Sequence, residues 1–571
     1  MSDFVHARYR NAFIEALAGA LGKRAAEVEL LVKPAEPAHG DFTFPTFALA
    51  KAERKAPPAI AAAVAPKVQV PGLEVTAVGP YINARLLSQP YVGQVVDAAR
   101  KGGSAYGASQ DGAGKTVVID YSSPNIAKPI GFHHIRTTLL GHAIANLYRS
   151  QGYRVEGVNY LGDWGKQFGL VAVGFKEFGD PARQQDMAHL VDVYVKANAK
   201  AEEDPEFDAK AKAFFREMED GNEDALRLWR EFRATSLEGF KQVYARLGIT
   251  FEHYDGESLY HGKMDAVIAE IARTVGTLES QGALIVNMPY ADDEPPVLLK
   301  KKDGSTLYAT RDLAAAFDRF ARFHFDIALY VVAVDQALHF KQVFRVLEKM
   351  GVPWVNRCTH VAFGRVHGMS TRKGQVVLLN DVVDEAKNRA LEKVSVNVAE
   401  GRIHTDDVEK LAEQIGLGAV IFGDLKNRRA SDYTFDWEEV LTFEGHTGPY
   451  LQYAYARTVN LLKKGGGAPG SYQPGLLTLP EELDLARAVG RFPEMIGEAL
   501  KNNEPSYVAR HLLEVAAAFS RWYTLGNQDR DKRVLVEEPD LRGARLALAD
   551  AVRATLVTGL TLLGMAAPES M

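Results

Sequence analysis

The pattern that most constrains the fold of this chain is a strand–helix–strand unit that occurs twice. In the first copy, a β-branched apolar run at 116–121 and a second run at 155–160 flank a helical spacing of apolar residues at 134–150. Gly152 follows that helix where a C-cap glycine belongs. Short apolar runs of this kind are typical of buried parallel strands, and the helix supplies the crossover that such strands require.

The second copy lies far downstream and completes the predicted sheet. Apolar runs at 327–334 and 360–363 flank a helical pattern at 340–347. Two such units predict an α/β fold with a doubly wound, Rossmann-type parallel sheet, whose ligand crevice lies where the strand order reverses. The charge-rich segment at about 180–320 begins with helical patterns and is predicted to be an insertion outside this sheet.

The flanking regions have other patterns. Before the sheet, a helical stretch at 13–21 and an alternating strand at 81–86 predict an α+β domain, with turns at Pro57-Pro58 and Pro71-Gly72. After the sheet, helical patterns at about 480–503, 505–524 and 541–564 predict an all-α helix bundle. The predicted domains are the α+β domain at 1–112, the Rossmann domain at 113–375, a connecting helical domain at 376–445 and the helix bundle at 446–571.

Composition excludes several kinds of site. The 571 residues suffice for three or four domains at ~100–200 residues each. The single cysteine, Cys358, excludes an internal disulfide and a zinc site built from several thiolates. The net charge of -6 argues against a uniformly basic protein, although a local basic surface can still bind nucleic acid. Neither a secretory signal nor an apolar run of ~20 residues is visible, so we expect a cytoplasmic protein with no membrane span.

The most informative loop follows the first strand of the sheet. It reads D-Y-S-S-P-N-I-A-K-P-I-G-F-H-H-I-R, from Asp120 to Arg136. A loop at this position directs backbone N–H groups and a helix N-terminus toward a phosphate, and Lys128, His133 and His134 add side-chain donors. A basic loop with surface histidines is the alternative reading, and this stretch alone does not exclude it.

A second loop follows the last strand of the sheet. It reads G-R-V-H-G-M-S-T-R-K-G, from Gly364 to Gly374, so it is glycine-flanked and cationic. Such a loop can close over a triphosphate and stabilise charge on a leaving pyrophosphate, although alone it is also compatible with a solvated basic turn. Together the two loops predict chemistry at the α-phosphate of ATP.

Four stretches, in this order, carry a resemblance to a known family. They are S-P-N-I-A-K-P, N-Y-L-G-D-W-G-K-Q-F-G (159–169), M-S-T-R-K-G and F-E-G-H-T-G-P-Y-L-Q-Y-A (443–454). The two loops are similar to the HIGH and K-M-S-K-S elements of class I aminoacyl-tRNA synthetases, and the chain resembles the arginyl-tRNA synthetases over nearly its full length. The resemblance implies that ATP activates L-arginine as arginyl-adenylate, and that the arginyl group is then transferred to the 3′-terminal adenosine of tRNA(Arg).

A pocket for arginine needs carboxylates and neutral oxygens, because the guanidinium is planar and always charged. Tyr308 and Asp312 lie four residues apart, which places both on one face of a helix. The resemblance implies that the arginine-binding residues are Asp120, Asn125, Tyr308, Asp312 and Gln336. A helix-surface or capping carboxylate is the alternative for Asp312.

The resemblance also implies the ATP site. Its implied catalytic residues are Lys128, His133, His134, Arg372 and Lys373, and its implied ATP-binding residues are Pro129, His134, His367, Met369 and Ser370. His133 stands where HIGH has glycine, so it either replaces the missing first histidine or fills space. Gly368 and Thr371 stand where K-M-S-K-S has lysines, and Lys128 is the residue implied to compensate. ATP with Mg²⁺ is expected, whereas no zinc and no metal-binding residue is predicted.

Further residues are implied to contact tRNA(Arg). Tyr81 and Asn83 of the first domain match the family's D-loop contacts. An exposed aromatic ring and an amide are suited to stacking on an unpaired base and to hydrogen bonding with its edge. Tyr450, Arg457 and Met571 match its anticodon-loop contacts. Strand packing, bundle packing and a surface charge are the alternatives for these residues. A monomer is expected, as is usual in the family.

Two other functions stay open at this point. Another class I ligase is the first, but a cysteine-specific enzyme favours zinc thiolates and a glutamate-specific one favours a cationic pocket. The candidates here are Asp120 and Asp312, and there is one cysteine. The second is a tRNA-binding paralogue without catalysis, which the altered HIGH element favours and which Lys128 and His134 disfavour.

Overall fold

The first part of the chain forms a small antiparallel sheet with helices packed on it. The structure is a computed structural model that describes residues 4–36, 38–126, 128, 130–290, 294–302, 308–368, 377–401 and 403–571. Its first helices are α1 (Val5–Leu21), α2 (Ala25–Glu29), α3 (Phe47–Glu53), α4 (Pro57–Val64) and α5 (Ser88–Gly102). The strands β1 (Lys33–Pro34), β2 (Phe42–Pro45), β3 (Leu73–Val78) and β4 (Tyr81–Leu86) pair in the order β1-β2-β4-β3.

One turn predicted in this region is wrong. Pro57 and Pro58 begin helix α4 instead of forming a turn. Proline is well tolerated there because the first turn of a helix leaves its N–H groups unpaired, and the ring fixes φ near the helical value. The turn at Pro71-Gly72 is present, and Gly72 has a φ of +84° that side chains rarely adopt.

The middle of the chain contains the two predicted strand–helix–strand units. The first consists of β5 (Thr116–Asp120), α6 (Ile135–Ser150) and β6 (Arg154–Val158), and α7 (Lys166–Phe178) follows it. The intervening segment contains α8 (Met187–Glu203), α9 (Pro205–Glu219), α10 (Glu223–Arg246), α11 (Met264–Thr274), β7 (Thr277–Ser280), β8 (Ala283–Val286), β9 (Leu298–Lys300) and α12 (Tyr308–Phe323). The second unit consists of β10 (Ile327–Tyr330), α13 (Ala337–Lys349) and β11 (Cys358–His360), and β12 (Val366–His367) follows.

The two units form one parallel sheet, as predicted. Its strand order is β11-β10-β5-β6, with Asp120 of β5 opposite Tyr330 of β10. The chain therefore winds outward in both directions from the β5–β10 pair, and the carboxyl ends of these two strands define the ligand crevice. Strands β7, β8 and β9 of the intervening segment form a separate antiparallel sheet. Residues 253–256 of the same segment bridge residues 158–161 in parallel, at the β6 edge of the parallel sheet. The expectation that the whole segment lies outside that sheet is therefore wrong for residues 253–256.

Close packing holds the crevice helix against the sheet. Gly141 of α6 lies directly on the ring of Tyr121, so a Cβ at this position would overlap that ring.

The predicted strand at 327–334 was too long, because β10 ends at Tyr330 and residues Val334–Gln336 form a 3₁₀ turn. Gln336 therefore lies in that turn.

The last third of the chain is almost entirely helical, which confirms the predicted bundle. Its elements are α14 (Leu379–Ala399), α15 (Val408–Leu425), β13 (Tyr433–Thr434), α16 (Trp437–Val440), α17 (Gly448–Lys464), α18 (Pro480–Asn502), α19 (Ser506–Gln528) and α20 (Pro539–Leu562). The fully buried Trp522 lies in its core. Among the described residues, no helix combines the length and apolarity needed to cross a bilayer.

Candidate functional site

The described residues on either side of the second loop contact the start of the crevice helix. Residues 130–132, which lead into α6, form a short antiparallel bridge with residues 377–379, which follow the second loop. The Phe132 N–H donates to the Val377 carbonyl at 2.8 Å, and the Leu379 N–H donates to the Ile130 carbonyl at 2.8 Å. The end of the second loop is therefore fixed to the start of the crevice helix.

The beginning of the second loop is fixed to the same helix. Arg136, in the first turn of α6, donates through Nη1 to the carbonyl oxygen of Gly364 at 2.8 Å. Both roots of the second loop thus lie against the turn that carries His133 and His134. Pro129, Met369, Ser370, Arg372 and Lys373, all predicted site residues, lie outside the described residues.

The two histidines differ in environment. Their rings lie 4.0 Å apart at 43°, with His133 exposed and His134 partly buried. Burial, followed by the charge of the neighbouring His133, lowers the pKa of His134 to about 3. Burial and then the Lys128 cation also lower the pKa of His133. Burial thus favours the neutral form of both imidazoles.

The other described residues of the predicted ATP site lie on the surface. Lys128 is exposed, and its ammonium lies 5.1 Å from the centre of the Tyr194 ring of α8. His367 ends β12, exposed, with Nε2 at 3.3 Å from a carboxylate oxygen of Asp432. Among the described residues, Lys128 contacts a ring face and His367 a solvated carboxylate, and contacts of this kind are weak enough for either side chain to turn toward a ligand.

Asp120, at the carboxyl end of β5, already has a cationic partner. Arg319 of α12 donates through Nη2 to Asp120 Oδ2 at 2.7 Å, and the Ser123 hydroxyl donates to Oδ1 at 2.8 Å. Arg319 is 1% exposed and Asp120 is 6% exposed. Burial raises the pKa of Asp120 even though Arg319 acts in the opposite direction. Asp120 is thus both a predicted ligand of the arginine substrate and the counterion of Arg319.

The remaining arginine-site predictions lie around Asp120. A carboxylate oxygen of Asp312 lies 2.5 Å from Nε2 of His339. The negative charge of Asp312 contributes to the raised pKa of Asp120. Tyr308 is 68% exposed at the start of α12, and Gln336 is exposed in its 3₁₀ turn. Asn125 is exposed and bridges Gly162, where a Cβ would overlap the Asn125 amide oxygen. All five residues therefore lie at or near the same edge of the sheet.

Several side chains at this edge were not found by sequence reasoning. Glu257 pairs with Arg311 at 3.0 Å, and burial, opposed by Arg311, raises the pKa of Glu257 to about 7. The hydroxyl of Tyr160 is buried without a hydrogen-bond partner among the described residues. Its ring lies under Arg319, at 5.2 Å from the guanidinium carbon. Tyr160 is the second residue of the N-Y-L-G-D-W-G-K-Q-F-G stretch, which was its signal in the sequence, whereas nothing pointed to Glu257 or Arg319.

A cleft elsewhere is a candidate nucleic-acid interface. It has a volume of about 1260 Å³ and lies between the N-terminal sheet, the residues before α17, and helices α18 and α19. Seven cationic and six acidic residues line it: Arg10, Arg85, Lys426, Arg487, Arg491, Arg510 and Arg521, and Asp41, Glu439, Glu444, Asp484, Glu494 and Glu514. Tyr450 lies on its wall, and the Tyr450 hydroxyl is 3.3 Å from that of Ser520.

The other predicted tRNA contacts differ in accessibility. Tyr81 is 41% exposed and packs edge-on against the exposed Phe47 at 5.8 Å, whereas Asn83 is 3% exposed. The expectation that both present themselves to a base is therefore wrong for Asn83. That residue lies in the middle of β4, the strand paired on both sides, where Thr43 and Thr76 are its cross-strand neighbours, whereas Tyr81 begins the strand and is exposed.

Two other predicted anticodon contacts lie in the bundle: Arg457 is partly exposed, and Met571 is buried. Arg457 lies between two tyrosines, with its guanidinium carbon 4.5 Å from the Tyr453 ring centre and 4.9 Å from that of Tyr523. Sequence reasoning missed both tyrosines. Met571 is buried in the bundle core, and its predicted contact with the anticodon loop stays a prediction.

The chain matches three family models in sequence. They are "Arginyl tRNA synthetase N terminal domain" over residues 7–86, "tRNA synthetases class I (R), catalytic domain" over 96–437 and "DALR anticodon binding domain" over 451–571. An arginine–tRNA ligase of Alkaliphilus metalliredigens is 40% identical, with 95% of this chain and 96% of the relative covered. One of Streptococcus pneumoniae is 41% identical, with 96% of each covered. The structure of a Thermus thermophilus arginyl-tRNA synthetase is similar with a TM-score of 0.82, 26% identity and coverage of 98% and 100%.

Proposed function

Because the chain belongs to the arginyl-tRNA synthetase family, we propose that the β5–β10 crevice binds arginine and ATP side by side. The activity is that of an arginine–tRNA ligase: ATP-dependent activation of L-arginine to arginyl-adenylate, then transfer to tRNA(Arg) with release of AMP and pyrophosphate. The observation that carries the proposed site is the joining of both roots of the second loop to residues 130–136, directly above the carboxyl end of β5.

The proposed arginine site is acidic. Its members are Asp120, Asn125, Tyr308, Asp312 and Gln336. Asp312 is the proposed principal ligand of the guanidinium, because its carboxylate is held by a histidine rather than by a buried arginine. An ionised carboxylate has two oxygens and about four acceptor positions, so Asp120 can keep Arg319 and still accept a further hydrogen bond. Tyr308 and Gln336 are exposed here and are proposed to turn onto the ligand when it binds.

The proposed ATP site lies on the other side of the crevice. Its members are Lys128, Pro129, His133, His134, His367, Met369, Ser370, Arg372 and Lys373. The neutral His134 is proposed to donate a hydrogen bond to a phosphate oxygen, and Lys128 is proposed to leave Tyr194 and neutralise phosphate charge. ATP is proposed to enter as its Mg²⁺ complex, in which the phosphate oxygens carry the ion.

The chemistry requires positioning and charge stabilisation more than covalent participation by the protein. A carboxylate oxygen of arginine attacks the α-phosphorus, a P–O bond forms, and the bond to pyrophosphate breaks. A hydroxyl of the terminal tRNA adenosine then attacks the arginyl carbonyl, and AMP leaves with the electron pair of the acyl–oxygen bond. Donors fixed toward the phosphates lower the barrier of the first step because the negative charge there increases and moves to the leaving group.

Selectivity for arginine follows from the same pocket. A buried site built for a charged fork leaves its acceptors unpaired with a neutral or shorter amino acid, which costs about 10⁴–10⁵-fold in kcat/KM in comparable polar sites. We therefore propose that discrimination takes place at activation.

The domain limits and tRNA contacts also belong to this proposal. We propose domains at 1–112, 113–375, 376–445 and 446–571; the catalytic-domain match at 96–437 spans most of the second and third of these. Tyr81 with Phe47, Tyr450, and Arg457 with Tyr453 and Tyr523 are the proposed contacts with unpaired tRNA bases, since aromatic and guanidinium planes stack on bases. Asn83 and Met571 are proposed to support these surfaces from within. A monomer in the cytoplasm is the proposed state.

ATP–pyrophosphate exchange tests the proposed site. Exchange is measured with arginine, glutamate, cysteine and citrulline, each with and without tRNA(Arg). Of these four amino acids, we expect only arginine to support exchange. Citrulline is the sharpest competitor because it keeps the shape of arginine and lacks the charge. Exchange with citrulline at the arginine rate would contradict an acidic pocket centred on Asp312.

A further inference from the structure

Arg136 lies where three parts of the chain meet, and it is almost fully buried. It stands in the first turn of α6, two residues after His134. Its Nη1 donates to the carbonyl oxygens of Gly364 and Ser431, each at 2.8 Å, and its Nη2 donates to that of Arg428 at 3.2 Å. One guanidinium therefore fixes the root of the second loop and the segment 428–431 to the crevice helix.

The charge of Arg136 is balanced from the helical part of the chain. Its Nε lies 3.3 Å from Oδ1 of Asp424, near the end of α15, and both side chains are 1% exposed. The ring of Tyr433 in β13 lies 5.1 Å from the guanidinium carbon. A buried arginine with these partners is fixed in position, because any shift would leave a charge or a carbonyl oxygen unpaired.

The segment beside Arg136 is also attached to the helix bundle. The Arg429 N–H donates to the Glu504 carboxylate at 3.1 Å, at the corner between α18 and α19. Nε of Arg510 in α19 donates to the carbonyl oxygen of Lys426 at 3.2 Å. On its other side the segment bonds to the sheet, since the Gly364 N–H donates to the Arg429 carbonyl at 2.8 Å. A continuous set of hydrogen bonds thus joins the bundle to the root of the second loop.

We propose that Arg136 is a positioning residue for amino-acid activation: it aligns the second loop with the His133–His134 turn and makes that alignment depend on the helix bundle through residues 426–431. Arg136 touches neither reactant, and it acts through the backbone of Gly364 and through α6. The inference rests on the proposed ATP site and adds to it how the bundle reaches that site.

Arg136→Lys is the direct test. Lysine keeps the positive charge beside Asp424, but a single ammonium cannot reproduce the planar fork that reaches three carbonyl oxygens. With saturating arginine, ATP and tRNA(Arg), we expect kcat for ATP–pyrophosphate exchange to fall about 10–100-fold, the effect typical of a misplacement near 1 Å. KM for arginine and for ATP should change by less than about threefold, because the ligand contacts themselves remain.

Arg545→Lys is the matched control. Arg545 is equally buried, pairs with Glu482 at 2.7 Å, and donates to the carbonyl oxygens of Asp531 and Arg533, each at 2.7 Å, but it lies within the bundle. Its substitution should lower the melting temperature as Arg136→Lys does while leaving kcat for exchange within about twofold. Equal kcat values for the two variants would overturn the positioning role.

Glu504→Ala tests the bundle end and stays informative if Arg136→Lys does not fold. It removes the acceptor of the Arg429 N–H, and kcat for exchange with saturating tRNA should fall about 3–10-fold at unchanged tRNA Kd. A wild-type kcat in this variant would overturn the link to the bundle. Absence of arginine-dependent exchange in the wild-type chain would instead refute the proposed function, so the two failures are distinguishable.

Discussion

The buried pair between Asp120 and Arg319 makes the most quantitative prediction. Arg319→Met removes the guanidinium that lies 2.7 Å from a carboxylate that is 6% exposed. Breaking a buried ion pair by deleting one partner costs about 3–5 kcal/mol, because the remaining charge has neither water nor a counterion. Arg322→Met is the matched control on the same helix: its ion pair with Asp255 has the same 2.7 Å length, but Arg322 is 32% exposed, so the expected cost is about 1 kcal/mol or less.

The sign of the pH dependence follows from the same pair. Without Arg319, the pKa of Asp120 rises further above its unfolded value, so the folded variant binds a proton more readily than the unfolded chain. A raised carboxyl pKa gives a contribution to stability that is complete below the unfolded pKa and is lost as the pH rises. The cost of Arg319→Met should therefore be larger at pH 8 than at pH 5. The double variant with Asp120→Asn should recover most of that cost, because no charge is then left buried.

Hydrogen exchange of the amides in β5 and β10 measures this cost locally, which avoids treating a multidomain chain as two-state. Additive costs of Arg319→Met and Asp120→Asn, or equal costs of Arg319→Met and Arg322→Met, would refute the reasoning.

Three other substitutions test separate parts of the site. Lys128→Ala should lower kcat for exchange about 10²-fold if Lys128 neutralises phosphate charge, whereas Lys115→Ala, which removes another lysine lying over a tyrosine ring, should leave it unchanged. The pKa of Glu257 is raised to about 7, so wild-type stability relative to Glu257→Gln should fall by about 3 kcal/mol from pH 4.5 to 7; urea titrations with parallel pH profiles would contradict this. Gly162→Ala should displace the Asn125 amide and raise the arginine KM about tenfold, and an unchanged KM would remove Asn125 from the pocket.

The sheet was predictable because its signals are local. The β-branched run at 116–121 and the helix that follows it are each determined by neighbours in sequence, and a parallel sheet follows from two such units. The exact end of β10 was not predictable in this way. Residues 331–334 remain apolar, but the chain turns at Val334–Gln336, and periodicity does not register that turn.

The candidate residues of the arginine site lie around Asp120, but the partners of these residues were invisible in the sequence. Asp120 and Arg319 are 199 positions apart, and nothing local to either residue indicates that they pair. Asn83 shows the converse limit. Alternation along β4 groups it with the exposed Tyr81, and only the sheet order, which gives β4 a neighbour on each side, explains why Asn83 is covered.

The arginine KM of Asp312→Asn tests the central claim most directly. Asparagine keeps the shape and one acceptor but loses the charge, and a hydrogen bond to a charged group contributes about 1.5–3 kcal/mol, so KM should rise about 10–150-fold. Asp318→Asn is the control, because Asp318 lies on the same helix and pairs with Lys263 at 2.7 Å, and its arginine KM should equal that of the wild type. An arginine KM for Asp312→Asn within twofold of the control would contradict the assignment of this crevice as the arginine pocket.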